Sequence, residues 1–130
     1  MFCLDSNTVI FYFKNKGNVA EKLQSKLRSE LAVSAIVVFE LTAGAYKSDN
    51  PKRSINLLNE FLSEVSVLPF DLSCAGEAAR IRKQLESEGR TIEPFDILIA
   101  GTALATRSIL ITNNTKEFSR VKGLALEDWL

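Results

Sequence analysis

The sequence predicts an α/β protein in three layers, α/β/α, with helices on both faces of a four- to five-stranded, mainly parallel sheet. Two observations carry this. Phe2–Leu4, Leu31–Val33, Val65–Leu68 and Ile109–Ile111 are short runs, apolar almost throughout, as strands covered on both faces must be. Between them lie longer stretches with helical start signals and helical spacing, the pattern of βαβ units.

The elements follow in order. The first strand, Phe2–Leu4, stops at Asp5-Ser6-Asn7, where Ser6 or Asn7 can cap a helix running to Phe13. Lys14–Gly17 ends that helix. Asn18 followed by Glu21 reads as a cap with its reciprocal acid, opening a second helix to Arg28. After the strand Leu31–Val33, Ser34 caps a helix carrying Ile36, Phe39, Glu40, Ala43 and Ala45. Asn50-Pro51 is a cap followed by proline at the first helical position. Ile55, Leu58, Phe61 and Leu62 give that helix its apolar stripe. The third strand precedes a long helix, Asp71–Glu88, with Leu72, Ala75, Ala78, Ile81 and Leu85 on one face and Gly89 as its stop. Pro94 opens a helix that is apolar nearly all round from Ile97 to Ala105, hence deeply buried. The fourth strand, Ile109–Ile111, ends at Thr112-Asn113-Asn114, and Leu124–Leu126 supplies a fifth.

At 130 residues, positions 1–130 fit one domain with its own core. Hydrophobic content of 46% and charged content of 25% suit a soluble globular protein. No apolar run approaches the roughly 20 residues that span a bilayer. The N-terminus lacks the basic region and cleavage site of a signal peptide, so a cytoplasmic location without membrane contact is expected. Cys3 and Cys74 read as small buried hydrophobes. Sixteen Lys and Arg balance sixteen Asp and Glu, which does not advertise a nucleic-acid binder. Any such role needs a local basic patch or cations that offset the acids.

Three carboxylates stand in apolar company. Asp5 ends the first strand, Glu40 interrupts Ile36–Leu41, and Asp96 precedes Ile97–Ala100. Burying a carboxylate is costly unless it is paired, hydrogen-bonded or bound to a cation. Taken singly, Asp5 reads as a helix cap and Asp96 equally well as a partner for a helix dipole. Glu40 has no capping role and could pair with a buried Lys or Arg or lie on an exposed face. Together they favour a metal site. Ligands in open α/β sheets bind beyond the carboxyl ends of strands, and Asp5 and Asn114 follow two strand ends. Clustered carboxylates repel one another, and a hard divalent cation such as Mg²⁺ or Mn²⁺ relieves that repulsion. The chain has no histidine, so such chemistry must use oxygen ligands.

At these residues the chain resembles the PIN-domain ribonucleases and, within them, the VapC toxins of bacterial toxin–antitoxin pairs. The matching segments are Leu4-Asp5-Ser6-Asn7, Phe39-Glu40-Leu41 with Gly44, and Glu93-Pro94-Phe95-Asp96-Ile97-Leu98-Ile99-Ala100-Gly101. They continue with Leu110-Ile111-Thr112-Asn113-Asn114, Glu117-Phe118, Gly123-Leu124 and Glu127-Asp128-Trp129, so the resemblance covers essentially the whole chain. Each motif alone is weak; their order and spacing make the set specific.

The resemblance implies a PIN-like fold, RNA cleavage dependent on Mg²⁺ with Mn²⁺ as a substitute, a homodimer, and inhibition by a cognate VapB-type antitoxin. Higher assemblies form with the antitoxin, and operator DNA is met only through it. Asp5, Glu40 and Asp96 become the catalytic metal ligands. Many relatives have a fourth acid where this chain has Asn114; either Asn114 itself or Glu117 would complete the metal site. Ser6, Asn7 and Thr112 become supports that orient the carboxylates. Related toxins cut transfer RNA anticodon stem-loops or ribosomal RNA loops, and initiator transfer RNA is the expected target.

Lys116 and Arg120, close in sequence to that site, are the phosphate-binding candidates. Arg80, Arg82 and Lys83 read instead as a solvated face with Glu77, Glu86 and Glu88 as partners. Phe11, Tyr12, Phe13 and Tyr46 suit core or interface better than base stacking, and Trp129 suits a packing anchor. The alternative function is a catalytically impaired PIN-like binding module, its site weakened by Asn114, acting in antitoxin and operator complexes. A phosphotransferase of the haloacid dehalogenase type ranks last, because Asn7 replaces its second aspartate.

Overall fold

The computed structural model describes residues 1–130 throughout. Five parallel strands form one sheet in the order β3-β2-β1-β4-β5: β1 Phe2–Leu4, β2 Leu31–Ser34, β3 Ser66–Leu68, β4 Ile109–Ile111 and β5 Leu126–Glu127. Seven helices flank it: α1 Ser6–Phe13, α2 Val19–Gln24, α3 Ala35–Tyr46, α4 Pro51–Leu62, α5 Leu72–Ser87, α6 Pro94–Ala105 and α7 Thr115–Phe118. The expected α/β class and parallel sheet are borne out.

Strand order fixes the layers. From β1 the chain steps outward to β2 and β3, then returns across the sheet to β4 and continues the other way to β5. Right-handed crossovers put helices of opposite steps on opposite faces, so α1–α4 lie on one face and α5 and α6 on the other. The direction reverses between β1 and β4, which are neighbours in perfect register, Phe2 with Ile109 and Leu4 with Ile111. The carboxyl ends of those two strands therefore open a crevice at the topological switch point, the preferred ligand site of such sheets.

The core is continuous on both sides of the central strands. Cys3, Leu4, Val9, Val33, Val37, Ile81, Leu85, Ala100, Leu110 and Ile111 are fully enclosed. Both cysteines are buried free thiols, and burial pushes the Cys3 thiol up to about 12, as the reading of an inert buried hydrophobe requires. No helix is long and apolar enough to cross a membrane.

Several local expectations change. Asp5, not Ser6 or Asn7, caps α1: the Thr8 N–H donates to Asp5 Oδ1 at 2.9 Å. Asn18 makes no side-chain cap bond, and α2 ends at Gln24, with Arg28–Glu30 a separate 3₁₀ turn. On α5 the buried stripe is Cys74, Ala78, Ile81 and Leu85; Leu72 is 90% exposed and Ala75 also faces solvent. The Asp71 cap on the Cys74 N–H starts the helix at Leu72, which therefore lies in its first turn. The fifth strand begins at Leu126 rather than Leu124, where Leu110 and Ile111 find Leu126 and Glu127 as partners. Trp129 is the expected anchor, 3% exposed and 5.5 Å from Phe2 between ring centroids.

Candidate active site

Each acid reaches the switch point for a local reason. Asp5 follows β1, and its own N–H donates to the Ile111 carbonyl at 3.0 Å, so its backbone is stitched to the end of β4. The Thr8 hydroxyl donates to the same carbonyl at 3.0 Å. Asp5 is thereby 6% exposed and fixed by its capping bond. Burial pushes its carboxyl up, opposed by hydrogen bonds from Thr112 and Thr8, while the charge of Asp128 pushes it further up.

Glu40 sits in the second turn of α3. Ser34, fully buried at the end of β2, accepts from the Val37 N–H at 3.1 Å and so starts that helix at the strand's carboxyl end. The Ser6 hydroxyl donates to Glu40 Oε1 at 2.7 Å, tying α3 to α1 beside Asp5. Asp96 lies in the first turn of α6, placed by Pro94 and by Glu93, whose carboxylate accepts from the Phe95 N–H at 3.1 Å and the Asp96 N–H at 3.3 Å. Burial, then the charges of Glu93, Glu40, Asp5 and Glu117, push the Asp96 carboxyl up to about 7. Four carboxylates from four elements thus act on a fifth.

Beyond β4, the Thr112 hydroxyl is fully buried and accepts from the Asn114 N–H at 3.0 Å, leaving its proton for Asp5. The Asn114 amide donates to Glu117 Oε2 at 3.1 Å, so these two side chains stand together. Ser6 and Thr112 therefore hold acids in place. Asn7 does not: it is exposed and gives no side-chain hydrogen bond to any of them.

No ion pair relieves this charge. The four in the structure join Arg28 to Glu64, Arg80 to Glu77, Arg82 to Glu86 and Lys122 to Glu88, all away from the crevice. Those of Arg80 and Arg82 give α5 the solvated charged face expected for it. Arg120 is committed elsewhere, its guanidinium donating to the Thr91 carbonyl at 3.2 Å, whereas Lys116 is exposed and unpaired. As the side chains stand, no three acids form a ready ligand cage. The donor set nonetheless fits a hard divalent cation: it is all oxygen, half-buried, and strained by like charge. Two acids went unnoticed in the sequence as influences on the site. Glu93 and Asp128 stand there only within the segments that carry the resemblance, and the fold brings their charges to bear on Asp96 and Asp5.

The PIN domain family model matches residues 2–124. This chain is a PIN domain. It is 39% identical over 128 residues to the tRNA(fMet)-specific endonuclease VapC of Shigella flexneri, covering 98% of this chain and 97% of that one. The corresponding endonuclease of Salmonella typhimurium is 37% identical over the same length and coverage. These relatives put the chain in the VapC family of PIN domains. Among solved structures, DNA-bound VapBC from Salmonella typhimurium superposes with a TM-score of 0.94 at 35% identity, over 99% of this chain and 98% of that one. VapBC2 from Rickettsia felis, bound to a DNA fragment from its promoter, gives 0.93 at 32% identity with the same coverage. The resemblance read from the ordered acidic motifs is borne out.

Proposed function

We propose that this chain is an endoribonuclease that uses Mg²⁺, or Mn²⁺ in its place, and acts as the toxin of a toxin–antitoxin pair in the cytoplasm, with residues 1–130 as one domain. One observation carries the reading: Asp96, at the switch point of a VapC-family fold, lies within the field of Glu93, Glu40, Asp5 and Glu117, and none of these acids is in an ion pair. Asp5, Glu40 and Asp96 would hold the cation, with Asn114 or Glu117 completing the set. Bound there, it would lower the pKa of water and offset negative charge on a phosphodiester.

The chain's own residues prepare that chemistry. The Thr8 N–H and Thr112 hydroxyl hold Asp5 in one orientation, and Ser6 holds Glu40, so both carboxylates are pre-positioned. Asp96, pushed up to about 7, would have to release its proton to hold a cation. Water would attack phosphorus in line with the 3′ oxygen: its oxygen bonds to phosphorus as the P–O3′ bond breaks, and the proton it loses is made up on the leaving 3′ oxygen from solvent, giving a 5′-phosphate and a 3′-hydroxyl. No protein nucleophile is needed.

The similarity to endonucleases named for tRNA(fMet) supports initiator transfer RNA, cut in its anticodon stem-loop, as the substrate. The VapBC neighbours support a VapB-type antitoxin as partner, a homodimer, and operator DNA met through the antitoxin. A groove of about 590 Å³ between α1, α3 and α4, lined by Ile10, Phe13, Leu41, Leu57 and Leu58, runs up to Ser6 and Glu40. We place an apolar antitoxin helix there, where it would also block the acids. Lys116 is the remaining phosphate contact. Mapping new RNA 5′ ends in cells expressing wild type or Asp5→Ala tests the reading. Wild type should create ends at few positions and Asp5→Ala none; the same ends from both proteins would refute it.

A further inference from the structure

Phe39 and Phe95 immediately precede Glu40 and Asp96. Their rings come from different helices, α3 and α6, and meet edge to face with centroids 5.6 Å apart at 68°. Yet Phe39 is 56% exposed and Phe95 40%. Tyr12 and Phe13 pack on Phe61 and Phe2 on Trp129, while Tyr46, 68% exposed, has no aromatic partner. Single exposed apolar residues are ordinary on a surface. A preformed ring pair on the rim of an acidic site is a different matter, because it offers a flat apolar contact where the chemistry is expected.

Charge selects what such a rim accepts. No cation pairs with the surrounding acids, so the rim itself repels phosphate. A nucleobase has a neutral π face and stacks on aromatic rings whatever its identity. Unpaired RNA bases are commonly splayed out and held in this way. We infer that the Phe39–Phe95 pair is a stacking platform for the nucleobase beside the scissile phosphate. This rests on the RNA reading given above. The rival occupant is a second copy of the chain. Phe95 also lines a groove of about 700 Å³ between α5 and α6, with Phe70, Ile92 and Leu98. Phe39 is not among that groove's lining residues, so the pair and the groove share only Phe95, and Phe39 is the ring that stands apart from the groove.

The test uses a dye-labelled RNA stem-loop with the initiator anticodon loop sequence, with Ca²⁺ replacing Mg²⁺ so that binding is read separately from cleavage. Anisotropy compares wild type with Phe39→Ala, Phe95→Ala and Phe39→Trp, on the intact loop and on loops with one abasic position each. Each alanine variant should weaken binding of the intact loop about tenfold, and Phe39→Trp should retain it. One abasic position should weaken wild type equally and add nothing to the alanine variants. The proposal is overturned if the alanine variants bind the intact loop as wild type does, or if their loss persists on every abasic loop. It is equally overturned if wild type binds no RNA, or if sedimentation shows that the variants have lost a dimer. Should the stacking pattern hold while Mg²⁺ produces no cleavage, the ribonuclease reading fails and the platform stands.

Discussion

At neutral pH the Asp96 carboxyl is about half protonated, because burial and four neighbouring acids hold it near 7. Between the ordinary carboxylate range and that value the folded protein keeps a proton that the unfolded chain has released. Folding stability without cation therefore falls as pH rises through this window. Asp96→Asn should flatten the slope and raise Tm at pH 7.5 by about a few degrees; thermal melts in EDTA across pH 5 to 8 check this. The same proton competes with a cation, so Mn²⁺ should bind more tightly at pH 8 than at pH 6 by calorimetry. A pH-independent affinity would remove Asp96 from the ligand set. Asp5, Glu40 and Asp96 were legible in the sequence because apolar neighbours make a carboxylate conspicuous. Phe39 and Phe95 were not, because a phenylalanine in an apolar run reads as core until its exposure is known.

Helix α6 shows how an element positions chemistry. It carries Asp96 in its first turn and packs its middle against α5, where Gly101 faces Ala78. A Cβ at position 101 would stand 2.8 Å from the Ala78 Cβ and 2.9 Å from its Cα and N. Backbone would have to move. Gly101→Ala should cost about 1–3 kcal/mol in denaturant unfolding. Adding Ala78→Gly should restore only part, since the Cα and N contacts remain. The helix starts were readable wherever a side chain caps in isolation, as at Ser34, Asn50 and Asp71. Gly89 was readable as a stop: at φ +64° it lets the Arg90 N–H reach the Leu85 carbonyl at 2.9 Å. At the start of α1 the local sequence offers Asp5, Ser6 and Asn7 as caps, and the structure takes Asp5, leaving the Ser6 hydroxyl for Glu40. The phase of α5 was misread because Leu72 and Ala75 are apolar but lie on the outer side.

For the whole molecule, strand order is what turns scattered acids into one site. Alternating segments predict a parallel sheet; the reversal between β1 and β4 follows from long-range pairing, which composition does not encode. The same topology sets the groove beside Glu40 that we propose for the antitoxin. Leu57→Asp and Phe13→Asp, both at partly exposed groove positions, should weaken antitoxin binding by at least about tenfold while leaving RNA cleavage intact. Loss of cleavage in these variants would mean that the groove belongs to the substrate. The most direct test of the central claim is the cleavage rate of a purified RNA stem-loop against Mg²⁺ concentration, for wild type, Asp5→Asn and Asp96→Asn. Wild-type cleavage should rise from background with Mg²⁺ and vanish in EDTA, and both variants should stay at background. Full cleavage in EDTA, or by Asp5→Asn, would contradict the account.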